Sequence, residues 1–371
     1  MTLAIISHTT HIRSSGRWFA YQPYVREMNL WTAHFEKVLI TAPIDEKELP
    51  VIFSSYDHDN LFVRPVPAVA FNSVSQIFRA LWFAPRIFSA VYTSMKMADH
   101  IHLRCPGNIG LIGCLVQILF PKKQKTAKYA GNWQPGARQP LSYRFQKWVL
   151  SNTFLTKNMK VLVYGEWPGQ SQNIVPFFTA SYTEEKLKMA VDISHEPPFR
   201  FVFVGTLSEG KQPLYALKLI EDLYRKGQKV QIDYFGDGPE RANLENYIEE
   251  QALSEIATIH GAVKPQELEE FYRASHFLIL PSRSEGWPKV VAEAMFWGLI
   301  PMASPVSCVP WMLDHGNRGV LLEMDKEMDV NNITTLLNDT TRQREMSSQS
   351  IKWSRQYTID SFAEAIKKLI L

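Results

Sequence analysis

Short apolar runs rich in β-branched residues alternate with segments of helical periodicity along almost the whole chain. In the first half, the apolar runs predict strands at 3–8, 37–42, 60–66, 100–105, 126–131 and 160–165. The helical pattern predicts helices at about 19–32, 73–97, 109–120 and 141–155, and a polar loop, THIRSSGR, follows the first strand. Strands of this buried type, alternating with helices, predict a parallel sheet covered on both faces.

The charged segment 183–199 interrupts this alternation, because Pro197 and Pro198 disfavour regular structure. Beyond it the pattern predicts strands at 200–205, 230–236, 257–261, 276–281, 299–304 and 319–324, and helices at about 213–226, 239–252, 265–274 and 359–370. The sequence therefore predicts an α/β protein with two Rossmann-like doubly wound domains. We place an N-terminal domain at 1–182, a linker at 183–199 and a C-terminal domain at 200–371, with the final helix a candidate to pack back on the N-terminal domain.

Length and composition agree with two folded domains. A chain of 371 residues is too long for one core, and 46% hydrophobic with 21% charged residues is typical of globular proteins. Two open α/β domains joined by a linker are expected to face each other across a cleft. Ligands of such sheets bind at the carboxyl ends of the strands, so the loops at those ends are expected to carry the chemistry.

Three cysteines, Cys105, Cys114 and Cys308, lack paired spacing, and we expect them to be reduced and buried. No Cys/His spacing suits zinc, so no metal is expected. The N-terminus lacks the basic region of a signal peptide, and the apolar stretch 109–120 is shorter than the roughly 20 residues of a spanning helix. We expect a cytoplasmic location, with peripheral attachment to the inner face of a membrane as its extension.

The net charge of +3 conceals an asymmetry between the two halves of the chain. Residues 1–180 hold 19 Lys and Arg against 9 Asp and Glu, a net +10, and the remainder holds 21 against 28, a net −7. The segment 100–165 contains no acidic residue and interleaves its basic residues with Tyr129, Trp133, Tyr143, Phe145 and Trp148. This pattern favours an anionic partner, and we expect a membrane surface carrying an anionic lipid-linked acceptor. A solvated basic face and a nucleic-acid-binding surface remain alternatives, although no recognition-helix or RNP-type motif supports the latter.

The segment FVGTLSEGKQP consists of a strand, Gly205, a loop, Lys211 and a helix that begins at proline. Glycine lets the backbone approach a ligand, and a lysine before a helix N-terminus can hold a phosphate. The alternative is a plain turn with a solvated lysine. In YFGDGPER, Asp237 is expected to cap a helix that begins at Pro239, and this motif favours a structural role. His260, in HGAVKPQEL, likewise favours a structural role.

The segment SEGWPKVVAEAM holds two carboxylates eight positions apart, Glu285 and Glu293. Pro288 suits the first position of a helix, whose free N–H groups attract anions. Lys289, in the first turn, opposes the helix dipole unless an anion lies opposite it. Paired carboxylates accept hydrogen bonds from the hydroxyls of a sugar or ribose. The alternative is a Lys289–Glu293 pair on a solvated helix face.

These motifs together resemble the retaining glycosyltransferases of the GT-B fold, glycosyltransferase family 4 in particular. SEGWPKVVAEAM looks like the family's E-x7-E motif, FVGTLSEGK resembles its phosphate loop, and FGDGPER and HGAVKPQELEEFYRAS follow in the family's order. The resemblance covers about 200–325 and implies transfer of a sugar from a donor such as a UDP- or GDP-sugar to an acceptor hydroxyl, with no cofactor. It also implies a role in polysaccharide, glycolipid or other surface-glycan synthesis.

The resemblance assigns roles to particular residues. Glu285 would contact the donor sugar and Lys211 the diphosphate, as catalytic residues, and Glu293 would bind the ribose hydroxyls. The other residues that it places around the donor or nucleotide are Gly205, Thr206, His260, Gly261, Val263, Gly286, Trp287, Pro288 and Lys289.

The chain departs from the family's pattern at three positions. Thr206 stands where the family usually has arginine, Arg104 stands where it often has histidine, and Gly16 is the one glycine where two are usual. Lys289 or Arg17 could replace the missing cation, and we place Gly16, Arg17 and Arg104 on the acceptor or phosphate side. These departures leave a non-catalytic nucleotide-sugar-binding protein as an alternative.

Overall fold

The computed structural model describes residues 1–50, 52–69, 74–191 and 193–370; the remaining positions of the predicted elements and domains lie outside the described residues. The chain forms two compact units, which we call unit 1 (Met1–Phe177 with Ala363–Leu371) and unit 2 (Phe178–Phe362). The segment 183–199, predicted as a linker, groups with unit 2, and residues 363–371 group with unit 1.

The strands and helices of unit 1 alternate along the chain. They are β1 (Thr2–Ile6), β2 (His11–Ser14), β3 (Arg17–Tyr21), α1 (Gln22–Thr32), β4 (Lys37–Ala42), β5 (Ile44–Asp45), β6 (Phe53–Ser55), β7 (Leu61–Pro65), α2 (Val74–Met97), β8 (His100–Cys105), α3 (Asn108–Val116), β9 (Gln124–Tyr129), α4 (Leu141–Ser151), β10 (Met159–Tyr164) and β11 (Ile174–Phe177). Seven of these strands form a parallel sheet in the order β11-β10-β9-β8-β1-β4-β7.

A second, four-stranded sheet of unit 1 has the order β5-β2-β3-β6. The polar loop predicted after the first strand is therefore wrong, because β2 and β3 pair as an antiparallel hairpin. The hairpin turns at Ser15 (φ 48°) and Gly16 (φ 78°), a pair of positive φ angles that suits a two-residue hairpin turn. The helix predicted from 19 begins instead at Gln22, with a proline in its first turn.

Unit 2 continues the alternation. Its elements are β12 (Phe199–Val204), α5 (Pro213–Arg225), β13 (Val230–Phe235), α6 (Arg241–Glu250), β14 (Ala257–Gly261), α7 (Pro265–Arg273), β15 (Phe277–Leu280), α8 (Lys289–Phe296), β16 (Ile300–Ala303), α9 (Val309–Met312), β17 (Val320–Leu321), α10 (Lys326–Leu337), α11 (Thr340–Ser354) and α12 (Ile359–Ile370), the last of which continues into unit 1. Short 3-10 helices lie at Gln117–Leu119 in unit 1 and at Glu184–Lys188 and Asp314–Gly316 in unit 2.

The six strands of unit 2 form a parallel sheet in the order β14-β13-β12-β15-β16-β17. The predicted architecture of two parallel-sheet α/β domains is thus confirmed. Strands β12 and β15 are neighbours although three helices and two strands separate them in the chain. Because the strands are parallel, the loops that follow β12 and β15 leave the same edge of the sheet side by side.

Aromatic and aliphatic side chains fill the core of unit 2 on both sides of this sheet. Phe201 and Phe277 stack at 4.8 Å between ring centroids, across the paired strands β12 and β15. All three cysteines of the chain are buried and free, as expected. Among the described helices, none combines the length and the apolar character needed to cross a membrane.

Candidate functional site

The loops that follow β12 and β15 are hydrogen-bonded to each other. The Gln212 side chain donates to the Pro281 carbonyl at 2.5 Å, and the Arg283 backbone N–H donates to the Gly210 carbonyl at 2.8 Å. Gln212 adopts a left-handed conformation (φ 52°) immediately before α5. These contacts fix the loop that carries Lys211 against the loop that carries Glu285.

Lys211 and Glu285 form an ion pair at this junction. Lys211 Nζ donates to Glu285 Oε1 at 2.5 Å. The Glu285 side chain is 8% exposed and that of Lys211 is 28% exposed, so the glutamate is enclosed while the lysine side chain is partly accessible to solvent. The structure thus brings together the two residues predicted to be catalytic, at the carboxyl edge of the sheet.

The two glycines after β13, Gly236 and Gly238, are required by close packing of the backbone. A Cβ atom at Gly236 would lie 2.0 Å from the carbonyl oxygen of Gly205, and one at Gly238 would lie 2.4 Å from that of Leu207. Gly236 has φ 139°, which side-chain-bearing residues rarely adopt. The structural interpretation of FGDGPER is therefore consistent with the geometry, because these glycines let the loop after β13 approach the loop after β12 closely.

Asp237 does not cap the following helix, contrary to the sequence-based expectation. Helix α6 begins at Arg241, and its N-terminus has no side-chain cap. The Asp237 carboxylate instead accepts from the N–H of Gly238 at 2.7 Å and pairs with Arg241 at 3.3 Å.

Glu293 lies on α8 and accepts two hydroxyl hydrogen bonds. Ser181 Oγ donates to its Oε1 at 2.5 Å, and Tyr272 OH donates to its Oε2 at 3.2 Å. Burial raises the pKa of Tyr272 well above its usual value and the Glu293 carboxylate raises it further, so the phenol stays protonated and can donate. Glu293, Ser181 and Lys289 all line one small pocket of unit 2. Sequence reasoning missed Ser181, which lies outside the quoted motifs, and Tyr272, which lies within HGAVKPQELEEFYRAS but was given no role there.

The start of α8 differs slightly from the prediction. Pro288 directly precedes the first helical residue, Lys289, rather than occupying that position. The Trp287 ring is buried in an aromatic cluster with Trp311, Trp353 and Tyr357, at centroid distances of 6.2, 6.1 and 5.7 Å. Trp287 therefore anchors the loop in the core of unit 2 through its side chain.

The Gly286 carbonyl oxygen is also held within unit 2. It accepts from Ser307 Oγ at 3.0 Å and lies 3.2 Å from Cys308 Sγ. Burial raises the pKa of the Cys308 thiol to about 12, so this group stays protonated at neutral pH.

His260 lies near the carboxyl end of β14, in a small cluster of its own. Its Nε2 lies 2.6 Å from Asp233 Oδ1, and its ring stacks on Phe235 at 4.7 Å. The next residue, Gly261, has φ 74°, and Val263 is half-buried in the turn before α7. Thr206, which follows Gly205, is exposed.

Arg104, expected on the acceptor or phosphate side, is buried and ion-paired within unit 1. It donates to the Glu27 carboxylate of α1, which also lies 3.1 Å from Lys128 Nζ. Burial alone would raise the pKa of Glu27, but Arg104 and Lys128 lower it to about 2. The neighbouring His102 ring packs on Trp31 at 4.2 Å, and burial lowers its pKa well below the usual value. Sequence reasoning missed Glu27, although it is the one acidic residue in the first 35 positions.

Gly16 and Arg17 lie at the tip of the β2–β3 hairpin of unit 1. Both are exposed, and they line a surface pocket with Trp18, Tyr56 and Asp57. The hairpin geometry gives Gly16 a local structural role, because its φ angle is positive.

The basic segment 100–165 is not one solvated face, contrary to the simplest alternative. Lys125 and Lys128 are buried, as are Tyr129 and Trp133. Phe145 and Trp148 are exposed. Only part of the predicted basic and aromatic surface therefore faces solvent.

The chain is similar in sequence to known glycosyltransferases. Residues 185–353 match the model of the family described as glycosyl transferases group 1. An uncharacterized glycosyltransferase of Haemophilus influenzae is 30% identical over 171 residues, which cover 45% of this chain and 47% of that protein. A D-inositol 3-phosphate glycosyltransferase of Paenarthrobacter aurescens is 24% identical over 186 residues, covering 47% of this chain and 46% of that protein. The match thus spans about half the length of these curated relatives.

Solved structures resemble the whole chain. Sucrose-phosphate synthase of Thermosynechococcus elongatus has a TM-score of 0.66 at 16% identity, covering 100% of this chain and 98% of that chain. Anabaena Alr3699/HepE, in complex with UDP, has a TM-score of 0.67 at 14% identity, covering 100% and 99%. The fold is that of GT-B glycosyltransferases. In this GT-B chain, the group 1 match includes the Lys211–Glu285 pair and the whole E-x7-E segment.

Proposed function

We propose that this protein is a retaining glycosyltransferase that moves a sugar from a nucleotide-sugar donor to an acceptor hydroxyl. The observation that carries the proposal is the Lys211–Glu285 ion pair, which lies at the carboxyl edge of a parallel sheet. The GT-B fold and the group 1 match support it, as does the UDP bound in the Anabaena neighbour. We propose a UDP- or GDP-sugar as donor and polysaccharide, glycolipid or other surface-glycan synthesis as the setting.

Lys211 stabilises the departing diphosphate in this proposal. Its side chain is 28% exposed, and its ammonium group is ion-paired with the Glu285 carboxylate. A diphosphate carries more negative charge than a carboxylate, and charge builds on it as the glycosidic bond breaks. A cation already positioned for that charge stabilises the transition state more than the ground state.

Glu285 orients the donor sugar. Once Lys211 turns to the diphosphate, the Glu285 carboxylate is free to accept hydrogen bonds from sugar hydroxyls. Its 8% exposure means that these bonds form away from bulk water, where they are stronger. The carboxylate thus fixes the anomeric carbon relative to the incoming acceptor.

Glu293 and the start of α8 complete the donor site. We assign Glu293 to the ribose hydroxyls, with Ser181 and Tyr272 holding its carboxylate in place. Lys289 and the N-terminal end of the α8 dipole supply positive potential for the phosphates, which offsets the arginine missing at Thr206. The turn formed by His260, Gly261 and Val263 flanks the base. No metal or other cofactor is part of this proposal.

The acceptor and its location extend the proposal. We propose a glycan or lipid-linked acceptor and peripheral attachment to an anionic membrane surface at the cytoplasmic face. The basic excess of the first half of the chain supports this assignment.

A thermal-shift screen tests the donor site. UDP, GDP, ADP and their sugars are added at about 100 times the expected Kd, where a nucleotide that binds the folded state raises Tm by about 5–10 °C. We expect one nucleotide and its sugars to raise Tm, and we expect Lys211→Ala to lose most of this rise in Tm. Lys229→Ala, which changes an exposed lysine elsewhere in unit 2, is the matched control. No shift with any nucleotide would contradict the proposal.

A further inference from the structure

Exposed apolar side chains are concentrated in one part of unit 1. Among the described residues, nineteen large hydrophobic side chains are exposed, and eleven of them lie between Phe78 and Phe154. Unit 2, which is of similar size, has two, Tyr224 and Met328. A concentration of this kind on a folded protein marks an interaction surface.

Helix α2 has apolar residues on two opposite faces. Its inner face, with Ile87, Val91 and Met95, is fully buried against the sheet. On the outward face, Phe78 is 69% exposed and Trp82 is 82% exposed. Pro85 and Tyr92 continue this outward stripe at helical spacing and are exposed as well. Packing within unit 1 explains why the inner face of α2 is apolar, but it does not explain the apolar residues of the outer stripe.

Helix α4 repeats the arrangement. Leu141, Phe145 and Trp148, at i, i+4 and i+7, are 78%, 43% and 56% exposed. The rings of Phe145 and Trp148 stack on each other at 5.8 Å in solvent. The opposite side of the helix, with Val149 and Leu150, is buried.

Both stripes belong to one layer of helices. Helix α3 packs against both α2 and α4, and α2 and α3 cover the same face of the seven-stranded sheet. Right-handed crossovers between successive parallel strands place the helices on one face in this way. Leu119, just after α3, is 56% exposed. We call Phe78, Trp82, Leu119, Leu141, Phe145 and Trp148 the outer patch.

The surroundings of the outer patch carry almost no negative charge. The segment 60–165 contains 14 Lys and Arg residues against a single acidic residue, Asp99. Arg86 and Lys96 on α2, Lys122 and Arg144 are exposed within this layer. Exposed Trp, Phe and Leu interspersed with lysine and arginine are the side chains that bind the interface of an anionic bilayer.

We propose that the outer patch is a docking surface for an anionic lipid bilayer, with α2 and α4 lying along the membrane surface. This inference gives a location to the membrane partner named in the proposed function. The inner face of α2 is packed on the sheet, so only its outer stripe can enter the lipid. A second copy of the chain is a poorer occupant, because a two-fold contact would bring two strongly basic surfaces together.

Vesicle flotation of the full chain tests the proposal. The vesicles contain phosphatidylcholine alone or phosphatidylcholine mixed with phosphatidylglycerol. We expect at least about tenfold stronger binding to the anionic vesicles, weakened by added salt. Equal binding to both vesicles, or no binding to either, would overturn the proposal.

Paired variants locate the surface. We expect Trp82→Ser combined with Phe145→Ser to reduce binding by at least about tenfold, because two anchors are lost from the lipid interface. Tyr224→Ser in unit 2, at the same 43% exposure as Phe145, should bind as wild type. Trp82→Phe should keep binding while reducing the blue shift of tryptophan emission on vesicles. Unchanged binding of the double serine variant would overturn the assignment.

Charge-reversal variants test whether basic residues near the outer patch contribute to vesicle binding. Arg86→Glu with Arg144→Glu should weaken binding to anionic vesicles by about tenfold or more, whereas Lys229→Glu with Lys352→Glu should not.

Other partners would give different results. A dimer that forms without lipid and that Trp82→Ser dissociates would overturn the proposal. Nucleic-acid binding that depends on the same residues, without vesicle binding, would overturn it as well. The nucleotide-induced Tm shift should persist in the double serine variant. If the wild-type protein bound vesicles but showed no nucleotide-induced Tm shift, the result would count against the donor site alone.

Discussion

Lys211 Nζ lies 2.5 Å from Glu285 Oε1 although 74 positions separate the two residues in the chain. Their meeting follows from the sheet order, because β12 and β15 are neighbours and their loops leave the same edge. The ammonium group and the carboxylate therefore satisfy each other by charge and hydrogen bond. We infer that donor binding separates the pair, with phosphate on one side and sugar hydroxyls on the other.

Glu285→Gln should separate nucleotide binding from turnover. The substitution keeps the side-chain shape but removes the charge that holds Lys211, so affinity for the nucleoside diphosphate should stay the same or rise. Turnover of the nucleotide sugar should fall by about 100- to 1,000-fold, because the sugar loses its orienting carboxylate. Calorimetric titration and a nucleoside-diphosphate release assay measure the two effects, with the exposed Glu255→Gln as control. A parallel loss of nucleotide affinity would show that Glu285 acts on the nucleotide instead.

Tyr272→Phe should weaken nucleotide binding modestly. The phenol donates a hydrogen bond to Glu293, and a hydrogen bond to a carboxylate contributes about 1.5–3 kcal/mol. Only the part of this energy that positions Glu293 for the nucleotide should affect binding. We expect a three- to tenfold rise in Kd, about 0.7–1.4 kcal/mol. Tyr247→Phe is the matched control, because its hydroxyl donates to Glu221 at 2.7 Å elsewhere in unit 2. Equal effects of the two variants on Kd would contradict a donor-site role for Glu293.

Gly236→Ala should destabilise unit 2 strongly. Its Cβ atom would lie 2.0 Å from the Gly205 carbonyl oxygen, so the backbone must shift. We expect a loss of about 3 kcal/mol or more in the free energy of unfolding. Gly227→Ala, at φ 87° with nothing within 4 Å, isolates the conformational strain and should cost about 1 kcal/mol. Urea unfolding measures the free energy of unfolding of both variants. Similar losses in the two variants would mean that the backbone at Gly236 does not approach the Gly205 carbonyl oxygen closely.

Acid should destabilise unit 1 through Glu27. The folded-state pKa of Glu27 is about 2, below the ordinary value of 4.5, so its contribution is fully present above pH 4.5 and is lost as pH falls toward 2. The shift corresponds to stability on the order of 3 kcal/mol. Glu27→Gln should be less stable at neutral pH, because Arg104 and Lys128 lose their shared carboxylate. Denaturant unfolding from pH 6 to 3 should show a shallower decline for this variant than for wild type, and equal slopes would exclude the ion pairs as the cause.

The strand–helix alternation and the position of the loops after β12 and β15 could be predicted from the sequence. Apolar runs such as 200–205 and 276–281 are buried strands, and parallel strands place their following loops on one edge. Local motifs therefore sufficed to place Lys211 and Glu285 on loops at this edge of the sheet. Their direct contact needed the strand order, which periodicity alone does not contain.

Other features could not be predicted, for identifiable physical reasons. Helix α11 was missed because its buried face includes Gln343, Ser347, Ser350 and Ser354, so polarity does not mark the core side. Arg104 appeared available for a ligand because its partner, Glu27, lies 77 positions away on another element. Ser181, which holds Glu293, lies 112 positions from it and outside any motif.

The stereochemistry of sugar transfer tests the central claim most directly. Proton NMR can follow the first product formed from the nucleotide sugar that stabilises the protein, with water or a simple acceptor alcohol as acceptor. The account predicts a product with the anomeric configuration of the donor, formed by wild type and reduced by about 100-fold or more in Lys211→Ala. An inverted product, or equal rates for wild type and Lys211→Ala, would contradict it.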